Sequence, residues 1–173
     1  NLWGQTQYES GGSTFIKIRN SYQGMSNFCE DSNQLLWLTV AHEFFHAIQF
    51  SYNCYERFWL MEATAVWSED EIYNEINDHY RYMPSWFQNS AKPIDDESSH
   101  MYGSFIFFQY IDEHLGGYET IKNIWERSRS NANSVNDVSF TSINEALESV
   151  GSSFSGALNN MRIANRIMSS HPN

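Results

Sequence analysis

The chain has 173 residues, 41% of them hydrophobic and 16% aromatic, enough apolar material for one packed domain and too much for a disordered chain. Its formal charge of −11 and pI near 4.8 argue against nucleic acid or an anionic membrane surface as partners, because phosphate recognition needs clustered Lys and Arg. No run of about 18 apolar residues occurs, so no membrane span is expected.

In chain order, Ser13 to Arg19 alternates apolar and polar residues after Gly11-Gly12 and predicts a strand with one buried face. Nothing downstream offers it a partner, so it reads as an edge strand. Asn20 to Glu30 reads as a loop. A long helix follows over 32–52, capped by Asp31 or Ser32. A second helix runs from Phe58 to Asn77, apolar on more than one side. The segment 81–99, with Pro84, Pro93 and the acidic Asp95-Asp96-Glu97, reads as loop, and the acidic run as solvated rather than calcium-binding.

A third helix over 100–115 should stop at Gly116-Gly117, with Phe105, Phe107 and Phe108 in the core. A fourth covers 118–130, and the Asn/Ser-rich run 130–139 is a polar loop. Ser142 and Glu145 have capping-box spacing for a short helix to Val150. A last helix spans 153–168 and the final residues fray. The expected fold is therefore mainly α with a small N-terminal β-sheet edge (α+β), as one domain over 1–173. Cys29 and Cys54 flank the long helix, whose length holds its ends roughly 22–30 Å apart. This leaves their pairing open and favours free thiols.

The chemistry lies in His42-Glu43-Phe44-Phe45-His46. Residues at i and i+4 of a helix share a face, so both imidazoles can reach one metal ion, while Glu43 lies about 100° round and reaches a water on that metal. Two histidines and a glutamate amid apolar flanks are costly without partners. Glu62 lies in a hydrophobic stretch of the next helix and should be either paired or a metal ligand. Glu69 falls two turns further on the same face, placed to accept a hydrogen bond from a ligating histidine or to sit at the surface. Zinc suits two imidazoles and a carboxylate and keeps a fourth position for water. His79, His114 and His171 lie in polar or terminal surroundings and are not expected to be ligands.

The run Phe58-Trp59-Leu60-Met61-Glu62-Ala63-Thr64-Ala65 resembles the third-ligand helix of gluzincins, where aminopeptidase N-type enzymes carry Trp-Leu-Asn-Glu-Gly. The wording of residues 40–70 is also similar to a poorly characterised group of secreted microbial metallopeptidases. The resemblance implies a zincin-like catalytic core with one Zn²⁺ held by His42, His46 and Glu62. A looser likeness over 100–117, Met101-Tyr102-Gly103-Ser104-Phe105 onward, implies that Tyr102 donates to the oxyanion of the tetrahedral intermediate. His100 could donate instead, since an imidazolium is also competent.

The expected function is zinc-dependent peptide-bond hydrolysis with Glu43 as general base. The substrate would be a peptide or protein, extended along the strand near Thr14 to Arg19. Gly24-Met25-Ser26-Asn27 stands roughly where aminopeptidases of the similar family carry an amine-binding Gly-x-Met-Glu-Asn, but lacks the Glu, which places endopeptidase ahead of aminopeptidase. A catalytically silent zincin-like binding domain is the alternative from another class, and a helical interaction module with a chance motif is the third. The chain begins at Asn1 rather than Met, as a mature or trimmed portion would after removal of a secretion signal, and a secreted or extracellular location is expected.

Overall fold

A computed structural model describes residues 3–9, 13–25, 29, 31–132 and 138–170. The expectations for Gly11-Gly12, Ser26-Asn27, His171 and residues 133–137 of the 130–139 loop fall outside those residues. The protein is 66% helical with one two-stranded antiparallel sheet, an α+β composition. No helix of the described residues is long and apolar enough to cross a membrane. The chain divides into two compact units, Asn1–Phe105 and Ile106–Asn173.

The first unit opens with strands β1 (Gly4–Tyr8) and β2 (Thr14–Ile18), with Gly4 opposite Ile18 and Tyr8 opposite Thr14. The partner of the expected strand thus precedes it. Gly-Gln-Thr-Gln-Tyr gives no apolar alternation to betray it, because one of its faces carries only Gly4, Thr6 and Tyr8. That face lies on helix α1 (Ser32–Asn53): Thr6 hydrogen-bonds to Glu43, and the Tyr8 ring meets Phe50 edge-on at 6.2 Å.

Asp31 caps α1, its Oδ1 accepting from the N–H groups of Asn33 and Gln34 at 2.6 and 3.0 Å. Leu35, Leu38, Glu43, His46 and Gln49 form its buried side. Helix α2 (Phe58–Ile72) is buried almost all round, with Trp59, Leu60, Ala63, Ala65 and Val66 at 0% exposure, as befits a central helix. It stops earlier than the expected Asn77: Tyr73 leaves helical conformation at φ −132°, ψ 58°, its N–H closing on the Glu69 carbonyl.

The segment expected to be loop holds a 3₁₀ turn (Asp78–Tyr82) and helix α3 (Met83–Gln88), which starts with Pro84 in the first turn, where its missing N–H costs nothing. The acidic run beyond is engaged rather than freely solvated. Arg57 pairs with Asp95 at 2.8 Å and Glu97 at 3.2 Å, and Lys92 with Asp96 at 3.4 Å, tying this loop to the start of α2. The expected third helix is broken at Ser104 into α4 (His100–Gly103) and α5 (Phe105–His114); the Ser104 hydroxyl donates to the Ile94 carbonyl at 2.8 Å. Neither Cys29 nor Cys54 is in a disulfide among the described residues, and the Cys29 thiol lies 3.7 Å from Asp78 Oδ1.

The second unit holds the rest of α5 with α6 (Tyr118–Asn131), α7 (Val138–Glu148) and α8 (Phe154–Ser170). Gly116 and Gly117, at φ 94° and 75°, end α5 in the left-handed region that glycine enters without strain. Phe107 meets Phe108 and Phe154 edge-on within a core completed by Ile111, Ile121, Ile124, Ile143 and Leu147. Ser142 does not cap a helix. It is buried inside α7, which begins earlier, at Val138.

Candidate metal centre

Helix α1 presents His42 and His46 from one face, their rings edge to face with centroids 4.6 Å apart. The next helix brings Glu62 between them: its Oε2 lies 3.1 Å from His42 Nε2 and its Oε1 3.6 Å from His46 Nε2. One donor atom from each residue falls within 4.8 Å of the others. Zinc held tetrahedrally at about 2.0–2.1 Å separates its donors by roughly 3.3 Å, close to the two distances from Glu62 to the histidines.

The outward nitrogens are fixed as well. His42 Nδ1 lies 2.6 Å from Glu69 Oε1, and His46 donates from Nδ1 to Gln49 Oε1 at 2.6 Å. Gln49 is 0% exposed and spends its amide N–H groups on the Met61 carbonyl and the Thr64 hydroxyl, both at 2.9 Å. With Nδ1 held as donor on each ring, Nε2 is the nitrogen turned toward the shared point, and a metal binding there would displace the proton that His42 Nε2 shares with Glu62. The donor set therefore fits a divalent ion such as zinc.

Charge points the same way. Burial by itself would lower the pKa of His42, but hydrogen bonds and charge from Glu62 and Glu69 outweigh it and raise it to about 10. Burial by itself would raise Glu62, but its two histidine partners bring it down to about 2. Burial dominates at Glu69 and raises it, with His42 and Arg81 acting in opposition. His42 and Glu62 thus hold positive charge against negative at the shared point, a place a bound cation would take over from the His42 proton.

Glu43 is 6% exposed and lies beside the histidines. The Thr6 hydroxyl is 2.7 Å from both its Oε2 and its main-chain carbonyl. Strand β1 crosses so close that a Cβ on Gly4 would stand 2.6 Å from Glu43 Cγ and 2.8 Å from Thr39 Cγ2. These residues open into a cavity of about 450 Å³ whose walls include Trp3, Phe50, Phe58, Met61, Arg81, Tyr82 and Tyr102.

His42, Glu43, His46, Glu62, Glu69 and Tyr102 are thus brought to one cavity. Burial first, and then Glu62, push the Tyr102 hydroxyl up to about 12, so it stays a proton donor at neutral pH. Its ring stacks on Tyr82 at 5.2 Å, and burial raises Tyr82 too. His100 is not part of the lining: it is 3% exposed and stacked on Trp86 at 4.5 Å. His79 has the expected polar neighbour, Asp70 at 3.5 Å, but is buried, packed on Tyr80 and Phe105. The strand lining the cavity is β1, through Gly4, Gln5 and Thr6, in place of the expected Thr14 to Arg19. Tyr82 and Arg81 were hidden in an apparent loop, and Gln49 by its place on an apolar helix face. A polar residue at i+3 from the second histidine was the available signal for Gln49.

Residues 24–145 match the model of a family described as a family of unknown function (DUF6055). No curated protein and no solved structure matches the chain.

Proposed function

The chain belongs to the DUF6055 family, and from its centre we propose that it is a zinc-dependent peptidase, acting as an endopeptidase, with the metal held by His42, His46 and Glu62. One observation carries the reading: the three donors converge within 4.8 Å while Glu69 and Gln49 hold the far nitrogens of both histidines. Such complete support is what a metal site needs and a chance pair of histidines lacks.

When bound, zinc supplies Lewis acidity, polarising a carbonyl oxygen and lowering the pKa of water. Glu43, held by Thr6, takes the proton from the attacking water and passes it to the departing amine. Tyr102 donates a hydrogen bond to the oxygen on which charge develops; its raised pKa keeps that proton in place. Glu69 and Gln49 keep the imidazoles from rotating. Gly4 leaves room for β1 to pass over Glu43. Among donors considered for the oxyanion, Tyr102 is preferred over His100 because it lines the cavity.

The test is metal content of the purified chain beside Glu62→Ala, followed by peptide cleavage beside Glu43→Gln. The reading expects one zinc per chain, sharply weakened without Glu62, and turnover lost with zinc retained in Glu43→Gln. No zinc uptake, or full activity in Glu43→Gln, would overturn it. Amine-blocked and free peptides of one sequence separate endopeptidase from aminopeptidase, since an endopeptidase cuts both.

A further inference from the structure

One arginine shares the cavity with three glutamates. Glu43, Glu62 and Glu69 line it, and among the described lining residues Arg81 is the one lysine or arginine. Its side chain is 22% exposed, while its ion-pair partner Asp78, 2.8 Å away, is 1% exposed. The guanidinium is thus anchored from the buried side and open toward the cavity. It lies 3.8 Å from the Trp3 ring centroid and 4.5 Å from that of Tyr82, and donates to the Tyr82 hydroxyl.

An arginine serving only the fold would be expected to spend its donors. Among the described residues, the contacts with Asp78 and Tyr82 engage Nη1 and Nη2 once each, and Glu69 feels its charge from within the same cavity. The rings of Trp3 and Tyr82 lie against the guanidinium, which limits its motion before any ligand arrives. The ligand that matches a fixed planar fork is a carboxylate. Glu43, Glu62 and Glu69 lie at the metal side of the cavity, so away from the metal Arg81 is the basic side chain that can pair with one.

We propose that Arg81 is a specificity-determining residue, seating a carboxylate of the substrate: a peptide's free C-terminus or an Asp or Glu side chain close to the bond cut. The inference deepens the peptidase reading and rests on it for the identity of the ligand as a peptide. Trp3 and Tyr82 flank the seat, and Asp78 fixes the guanidinium from behind.

The experiment is calorimetric binding to zinc-loaded Glu43→Gln, which cannot cut the probe. The probe is acetyl-Ala-Phe-Ala-Ala as free acid, as C-terminal amide, and as an amide with one alanine replaced by glutamate. The free acid, the glutamate amide or both should bind about tenfold tighter than the plain amide, and whichever gains identifies the source of the carboxylate. Adding Arg81→Met should erase the gain and leave plain-amide affinity unchanged, with Arg81→Lys intermediate. Equal binding of all three probes overturns the proposal without any need for the Arg81 variants to fold. An equal loss for acid and amide in Arg81→Met also overturns it, because a structural role gives that result. Zinc content of the same samples separates the two readings: carboxylate discrimination without zinc removes the peptidase, and zinc without discrimination removes the seat.

Discussion

Gln49 accepts a hydrogen bond from His46 Nδ1 at 2.6 Å while its own amide N–H groups are held by Met61 and Thr64 of the following helix. The amide therefore cannot turn without breaking two further bonds, and the His46 tautomer is set by a side chain that never reaches the metal point. Replacing Gln49 with leucine keeps the volume and removes the acceptor. Zinc affinity is expected to fall about 10- to 100-fold, read by competition with a chromophoric chelator; unchanged affinity would mean that the tautomer is set elsewhere.

Thr6 acts on the base rather than on the metal. Its hydroxyl is 2.7 Å from Glu43 Oε2, and Thr6→Val removes that bond with little change of shape. Loss of about 1–1.5 kcal/mol of positioning corresponds to roughly tenfold in rate. The expected result is lower kcat with zinc content and KM retained, measured by steady-state peptide cleavage. A change in zinc content instead would assign Thr6 to the ligand set.

Gly4 tests how tightly strand and helix fit. The missing Cβ would stand 2.6 and 2.7 Å from Glu43 Cγ and Oε1 and 2.8 Å from Thr39 Cγ2, so Gly4→Ala must displace either β1 or the Glu43 side chain. A cost of about 1–3 kcal/mol is expected, seen as a lower Tm, together with loss of turnover. Zinc content should persist, because His42, His46 and Glu62 lie on α1 and α2. Wild-type activity and Tm in this variant would refute the close crossing.

Chelation should be reversible. Zinc at 100 times its dissociation constant stabilises by about 2.7 kcal/mol, which for a chain of this size shifts Tm by about 5–10 °C. Treatment with EDTA should lower Tm by that amount and abolish cleavage, and added zinc should restore both. A melting curve indifferent to EDTA and zinc would count against a bound metal.

The parts of this centre that were legible in the sequence are those with local causes. Asp31 caps α1 through backbone groups two and three residues away, and the i, i+4 histidines share a helix face by geometry alone. The rest depends on tertiary packing. Strand β1 is written in Gly-Gln-Thr-Gln-Tyr, whose fitness as a strand comes from lying on α1 and pairing with β2. Arg81 and Tyr82 follow a helix that ends at Ile72, and they gain a site only because the 3₁₀ turn after it brings them back beside Glu69 and Tyr102. The interruption at Ser104 arises from a hydroxyl that reaches back to the Ile94 carbonyl, a contact that helix propensity does not report.

Glu62 is 20 residues from His42, and Glu43 is 37 from Thr6. Contacts of short sequence separation close faster than distant ones, since the loop entropy is smaller. The two-helix hairpin that carries the donors can therefore assemble before β1 is delivered across it. Refolding in the presence of zinc is expected to gain metal first and cleavage later, so that the order of the chain sets an order of events: an ion captured early, and a cutting edge completed last.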